Sequence, residues 1–150
     1  MKLALVGTGQ MGQAVADLAP TRDHTVVATF DTSQPLLDAD LDGLKGADVV
    51  IDFSLPAVAL DHIRRYCEWQ QPAVMGTTGW YDDLDTVAEW VAEYEATLLY
   101  AANFSMGVTL LQRALAGVLP LLEHLPDYDP YLHEMHHTRK VDSPSGTAHR

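Results

Sequence analysis

The chain has 150 residues, and its 9 Lys and Arg against 21 Asp and Glu give a formal net charge of −12 with 47% apolar residues. This supports a folded core, excludes a disordered chain, and argues against nucleic acid or an anionic membrane as partner, since both call for clustered cations. The single Cys67 excludes an internal disulfide and fits a reducing, cytoplasmic setting.

In chain order, residues 3–6 read as a strand, too short and too soon interrupted by glycine to be a secretory h-region. Helical spacing follows over 14–18, and residues 25–30 are a β-branched and aromatic second strand. Residues 32–46, acidic and carrying Pro35, Gly43 and Gly46, read as loop or at most a short exposed helix. Residues 47–53 form a third strand, whose consecutive Val49, Val50 and Ile51 imply burial on both faces of a parallel sheet. Pro56 opens a helix to about Trp69. A short strand over 72–75, a helix over 82–95 and a strand over 97–101 continue the rhythm. The apolar helix over 106–122 contains Gln112 and Arg113 and makes a poor membrane span. A strand over 132–136 and a helix capped by Ser145 end the chain.

Repeated strand–helix alternation predicts an α/β fold: a Rossmann-like parallel sheet over 1–103, then the start of a second, α+β substrate domain over 104–150. The second part is too small to build much core alone, so the expectation is a piece of a longer chain. The acidity fits an ordinary solvated surface or one adapted to high salt.

Gly7, Thr8, Gly9, Gln10, Met11 and Gly12 spell G-x-G-x-x-G between a strand and a helix. Gly7 permits the tight turn, Gly9 lets backbone approach a pyrophosphate, and Gly12 lets the helix pack close. The helix start offers N–H groups and a positive dipole end to phosphates. Asp31, roughly 20 residues further on, suits an adenosine ribose diol and repels a 2′-phosphate. Thr32, Ser33 and Gln34 supply no cation for that phosphate, so NADH is expected as the preferred cofactor over NADPH.

The segment from His133 to Thr147 holds the densest chemistry. His133-Glu134-Met135-His136-His137 matches the zinc-hydrolase pattern, but that pattern needs a helix and a third ligand. Pro126 and Pro130 precede it, and in a strand the outer histidines would stand roughly 13 Å apart. No metal site is expected. His136, His137 and Lys140, followed by Ser145-Gly146-Thr147 at a helix start, instead make a basic pocket in an acidic protein, suited to a small anionic substrate. His136 or Lys140 could donate a proton while a nicotinamide delivers hydride.

Glu134-x-His136-His137-x-x-Lys140-x-Asp142-x-Pro144-Ser145-Gly146-Thr147-Ala148 closely resembles the signature of the 4-hydroxy-tetrahydrodipicolinate (dihydrodipicolinate) reductases of lysine biosynthesis. Asp52-Phe53-Ser54, Gly76-Thr77-Thr78-Gly79 and Ala101-Ala102-Asn103-Phe104-Ser105 resemble the same family in the same order. The resemblance implies that Gly76, Thr77, Thr78, Ala101, Ala102, Asn103 and Phe104 hold the nicotinamide end of NAD(P)H. It implies that His136 is the proton donor and acceptor and Lys140 a second donor, and that His137, Gly146 and Thr147 bind a dicarboxylate. It also implies a homo-oligomer, a tetramer in the full-length family. The glycine loop is one residue shorter than is common there, and Gln10 stands where Arg is usual. The competing readings are a catalytically incomplete NAD(P)H-binding fragment, a redox-sensing nucleotide-binding module, and another amino-acid dehydrogenase on the same sheet.

Overall fold

The structure, a computed structural model, describes residues 1–122, 124–131 and 133–135. The chain divides into two compact units, Met1–Ala101 and Ala102–Arg150. The first contains β1 (Lys2–Val6), α1 (Gln10–Leu18), β2 (Thr25–Phe30), β3 (Val49–Asp52), α2 (Pro56–Glu68), β4 (Ala73–Met75), α3 (Leu84–Glu93) and β5 (Leu98–Tyr100). The second contains α4 (Met106–Leu122).

The five strands form one sheet in the order β2-β1-β3-β4-β5, every neighbouring pair parallel. The consecutive apolar run in β3 has its cause here: Val50 is wholly buried and Ile51 half-buried, because both faces of the central strands are covered. One core joins Ala4, Val6 and Val50 to Ala59, Ile63 and Tyr66 of α2 and Val87 of α3. The other face packs Leu3 and Leu5 against Ala19, Val15 and Ala16. The order matters for function, because β1 is followed by β2 on one side and by β3 on the other.

Local sequence explains the helix boundaries. Pro56 occupies the first turn of α2, where its missing N–H costs no intrahelical bond. α1 begins at Gln10, four residues before the helical spacing shows in the sequence, because Gly9 caps it directly out of the glycine turn.

The segment 32–46 is mostly exposed, as expected of a loop or short helix, and winds into two 3₁₀ turns, Leu36–Asp38 and Leu41–Leu44. Its composition does not foretell the two leucines it sends into the core. Leu36 and Leu44 are each only 1% exposed and belong to the core with Phe30 and Val50. Asp40 starts the second turn by accepting a hydrogen bond from the Gly43 amide at 3.0 Å. Two leucines plugging the edge of the sheet outweigh a composition that otherwise reads as loop.

In the second unit, α4 covers the expected span and tolerates Pro120 in its last turn. Ser105 starts it, accepting from the Val108 amide through its hydroxyl at 3.4 Å. Residues 133–135 carry no regular structure, which corrects the strand expected over 132–136. The ends of that strand, and the helix expected from Ser145, lie outside the described residues. Among the described residues no helix is long and apolar enough to cross a membrane.

Candidate functional site

The order of the sheet reverses between β1 and β3, and the glycine turn lies at that reversal, following the carboxyl end of β1. Gly7 has φ +87°, a left-handed conformation that glycine adopts freely, and its amide donates to the Phe30 carbonyl at 2.9 Å. A methyl group on Gly7 would run into the backbone of Phe53 and Ser54, and one on Gly12 into the Gly7 carbonyl. The turn is thus pressed between the ends of β2 and β3, with α1 tight behind it.

The outer side of the turn is open. A Cβ added to Gly9 meets nothing within 4 Å, and Thr8, Gly9, Gln10 and Met11 are all exposed. No side chain caps α1, and its first turn carries no acid. Its first amides therefore face solvent at the positive end of the helix dipole, an arrangement that fits a pyrophosphate.

Asp31 follows β2 beside this turn. Its Oδ1 accepts from the Ser33 amide at 2.8 Å, the Ser33 hydroxyl at 2.6 Å and the Gln34 amide at 3.2 Å, and its Oδ2 accepts from the Thr8 hydroxyl at 3.1 Å. The Ser33 hydroxyl and amide, then Gln34 and Thr8, hold its carboxyl down at about 2, so it is an anion at any physiological pH.

On the other side of the reversal lies a polar cluster that sequence reasoning missed. Asp52 ends β3 fully buried. Its Oδ1 accepts from the Ser54 amide at 2.8 Å and the Thr77 hydroxyl at 3.3 Å. Its Oδ2 accepts from the Tyr66 hydroxyl at 2.7 Å and lies 2.9 Å from His62 Nδ1. Burial alone would raise this carboxyl, but hydrogen bonds from His62, Ser54 and Tyr66, with the charge of His62, outweigh it and hold it below the ordinary 3.8. Burial, then the Asp52 charge and its hydrogen bond, push the Tyr66 hydroxyl well above 10.0. A signal was present: a carboxylate closing a buried apolar run must find donors, and His62 and Tyr66 lie one turn apart on the buried face of α2.

Thr77 is held inward by this cluster. Its hydroxyl also reaches the Ser54 carbonyl at 3.2 Å, and its carbonyl accepts from Trp80 Nε1 at 2.8 Å. The side chain expected at the cofactor is therefore buried, while Thr78 is exposed and Gly76 half-buried. Ala101 follows β5 and extends its pairing with β4, its amide donating to the Met75 carbonyl at 3.2 Å. Ala102, Asn103 and Phe104 belong to the second unit, where Asn103 Oδ1 accepts from the Ser105 amide at 2.7 Å. Of the histidine segment, His133 is described and exposed. His136, His137, Lys140, Gly146 and Thr147 lie outside the described residues.

An open parallel sheet reversing at β1 and β3, with a glycine turn opening a helix there and an acid after the adjoining strand, defines the Rossmann-like class of α/β fold. Residues 1–104 match the family model described as dihydrodipicolinate reductase, N-terminus, and residues 107–150 match the corresponding C-terminus. A 4-hydroxy-tetrahydrodipicolinate reductase of Christiangramia forsetii is 40% identical over 99% of this chain and 61% of its own length. One from Staphylococcus haemolyticus is 36% identical over 98% of this chain and 61% of its own. A dipicolinate-bound dihydrodipicolinate reductase from Paenisporosarcina sp. TG-14 superimposes with a TM-score of 0.74 at 24% identity, covering 99% of this chain and 63% of that one. The chain belongs to the dihydrodipicolinate reductase family, and it spans 61% of the length of these curated relatives.

Proposed function

We propose that the protein takes part in the NAD(P)H-dependent reduction of 4-hydroxy-tetrahydrodipicolinate to tetrahydrodipicolinate, with loss of water. Family membership across both parts of the chain supports the reaction. The observation that carries the cofactor is the open, uncapped start of α1 beside an ionised Asp31.

The residues divide the work as follows. Gly7, Thr8, Gly9, Gln10, Met11 and Gly12 present amides to a pyrophosphate, and Asp31 receives the adenosine ribose. NADH is the preferred form, because a permanent carboxylate repels a 2′-phosphate and residues 32–34 bring no cation to hold one. Three strand spacings, roughly 14 Å, separate β2 from β4, a reach suited to an extended dinucleotide. With adenosine at β2, the nicotinamide end falls over the 76–78 turn, beside Ala101, with Ala102, Asn103 and Phe104 next in sequence. When bound, the reduced nicotinamide supplies hydride. His136 and Lys140 then serve as proton donors, while His137, Gly146 and Thr147 hold the carboxylates of a small dicarboxylate substrate. A cytoplasmic homo-oligomer, a tetramer as in the full-length family, is the assembly we expect.

The test follows NADH absorbance while the upstream synthase supplies its product. Turnover is expected, and Lys140→Ala and His136→Ala should abolish it while leaving NADH binding intact. NADH binding without turnover in the unsubstituted chain would instead select a nucleotide-binding module.

A further inference from the structure

The buried cluster at the end of β3 is not needed for the contacts assigned above, yet it meets the proposed nicotinamide site through one residue. We propose that Asp52, Ser54, His62, Tyr66 and Thr77 form a positioning device that sets the 76–78 turn for the nicotinamide end of the dinucleotide. The inference rests on the dinucleotide reading given above and deepens it.

Three anchors hold the turn from within. The Gly76 amide donates to the Asp52 carbonyl at 2.8 Å. The Thr77 hydroxyl shares its one hydrogen between Asp52 Oδ1 and the Ser54 carbonyl, at 3.3 and 3.2 Å. The Thr77 carbonyl is fixed by the buried Trp80 at 2.8 Å. Thr78, the next residue, is exposed at the carboxyl edge of the sheet, where open α/β sheets receive ligands. The direction the turn offers outward is thus set by partners facing inward.

The carboxylate at the centre is itself locked. Its donors come from β3's own extension, from His62 and Tyr66 on successive turns of α2, and from the turn after β4. Four donors on two oxygens leave Asp52 no freedom to rotate without breaking a buried hydrogen bond. A buried ionised group is a poor way to gain stability alone, since an apolar cluster of the same volume would serve as well. It does fix geometry, because each bond has a direction. None of these side chains needs to touch the dinucleotide; Asp52, His62 and Tyr66 act through Thr77.

The test compares two ligands on the full chain by titration calorimetry: NADH, and ADP-ribose, which lacks the nicotinamide. Thr77→Val keeps the shape and removes the hydroxyl. It should weaken NADH about tenfold and ADP-ribose by less than about twofold, the size expected for one lost buried hydrogen bond. Thr77→Ser should restore NADH affinity. Tyr66→Phe, which removes a donor further from the turn, should weaken NADH in the same sense by a smaller factor, and it decides the matter if Thr77→Val does not fold. Equal losses for both ligands, or no loss for either, would overturn the positioning role and leave the dinucleotide site standing. An unsubstituted chain that binds neither ligand would overturn the site itself, and this inference with it.

Discussion

Asp31 and Asp52 stand at the ends of two strands in one sheet, and each accepts four hydrogen bonds. Both carboxyls are held below the ordinary 3.8. What differs is where the donors come from. Three of those on Asp31 belong to its own loop, at Ser33 and Gln34, and the group faces solvent. Those on Asp52 come from two strand ends and a helix, and the group is fully buried. The first arrangement presents a charge to a ligand; the second uses a charge to tie elements together.

Removing each carboxylate should therefore have opposite consequences. The largest effect is expected from Asp52→Ala, which strands His62, Tyr66 and Thr77 in the core and should cost about 3 kcal/mol in urea unfolding. A loss no greater than that from Asp31→Ala would erase the distinction. Gly12→Ala comes next. Its methyl falls on the Gly7 carbonyl, so about 2 kcal/mol of stability and most NADH binding should go together. Retained binding would show that the turn relaxes without harm.

Asp31→Ala should leave stability nearly unchanged and shift the ratio of NADH to NADPH dissociation constants about tenfold toward NADPH, the effect of one removed charge. An unchanged ratio would remove Asp31 from cofactor selection. The smallest effect is on acid stability. Asp52 titrates below its unfolded value, so between the two the unfolded chain binds more protons and stability rises with pH. The stability it lends is whole above 3.8 and drains away as pH falls through its folded value. Asp52→Asn should flatten the unfolding profile in that acid window and not near neutrality.

The same contrast explains what could be read without coordinates. The glycine turn and Asp31 act through local geometry, and local geometry leaves a spacing in the sequence. The central strand β3 is legible because burial on two faces demands consecutive apolar residues, whereas β2, at the sheet edge, is legible through its β-branched and aromatic residues. Leu36 and Leu44 are not, since two core residues inside an acidic stretch with glycine and proline leave no period to follow. The cluster of Asp52, His62, Tyr66 and Thr77 was hidden for a different reason. Its members are 10, 14 and 25 positions from Asp52, and only the βαβ path brings them together. A histidine and a tyrosine on an apolar helix face read as ordinary core until the partner strand is placed.

One geometry underlies both carboxylate roles: a dinucleotide spanning the sheet reversal, from Asp31 across the start of α1 to the 76–78 turn. Titrating the isotope-labelled chain with NADH while following backbone amide resonances tests it directly. Shifts are expected to concentrate at Gly9, Gln10, Met11, Ser33 and Thr78 and to saturate together with one dissociation constant. Saturable shifts that spare the α1 start and the 76–78 turn, or none at all at millimolar NADH, would contradict it.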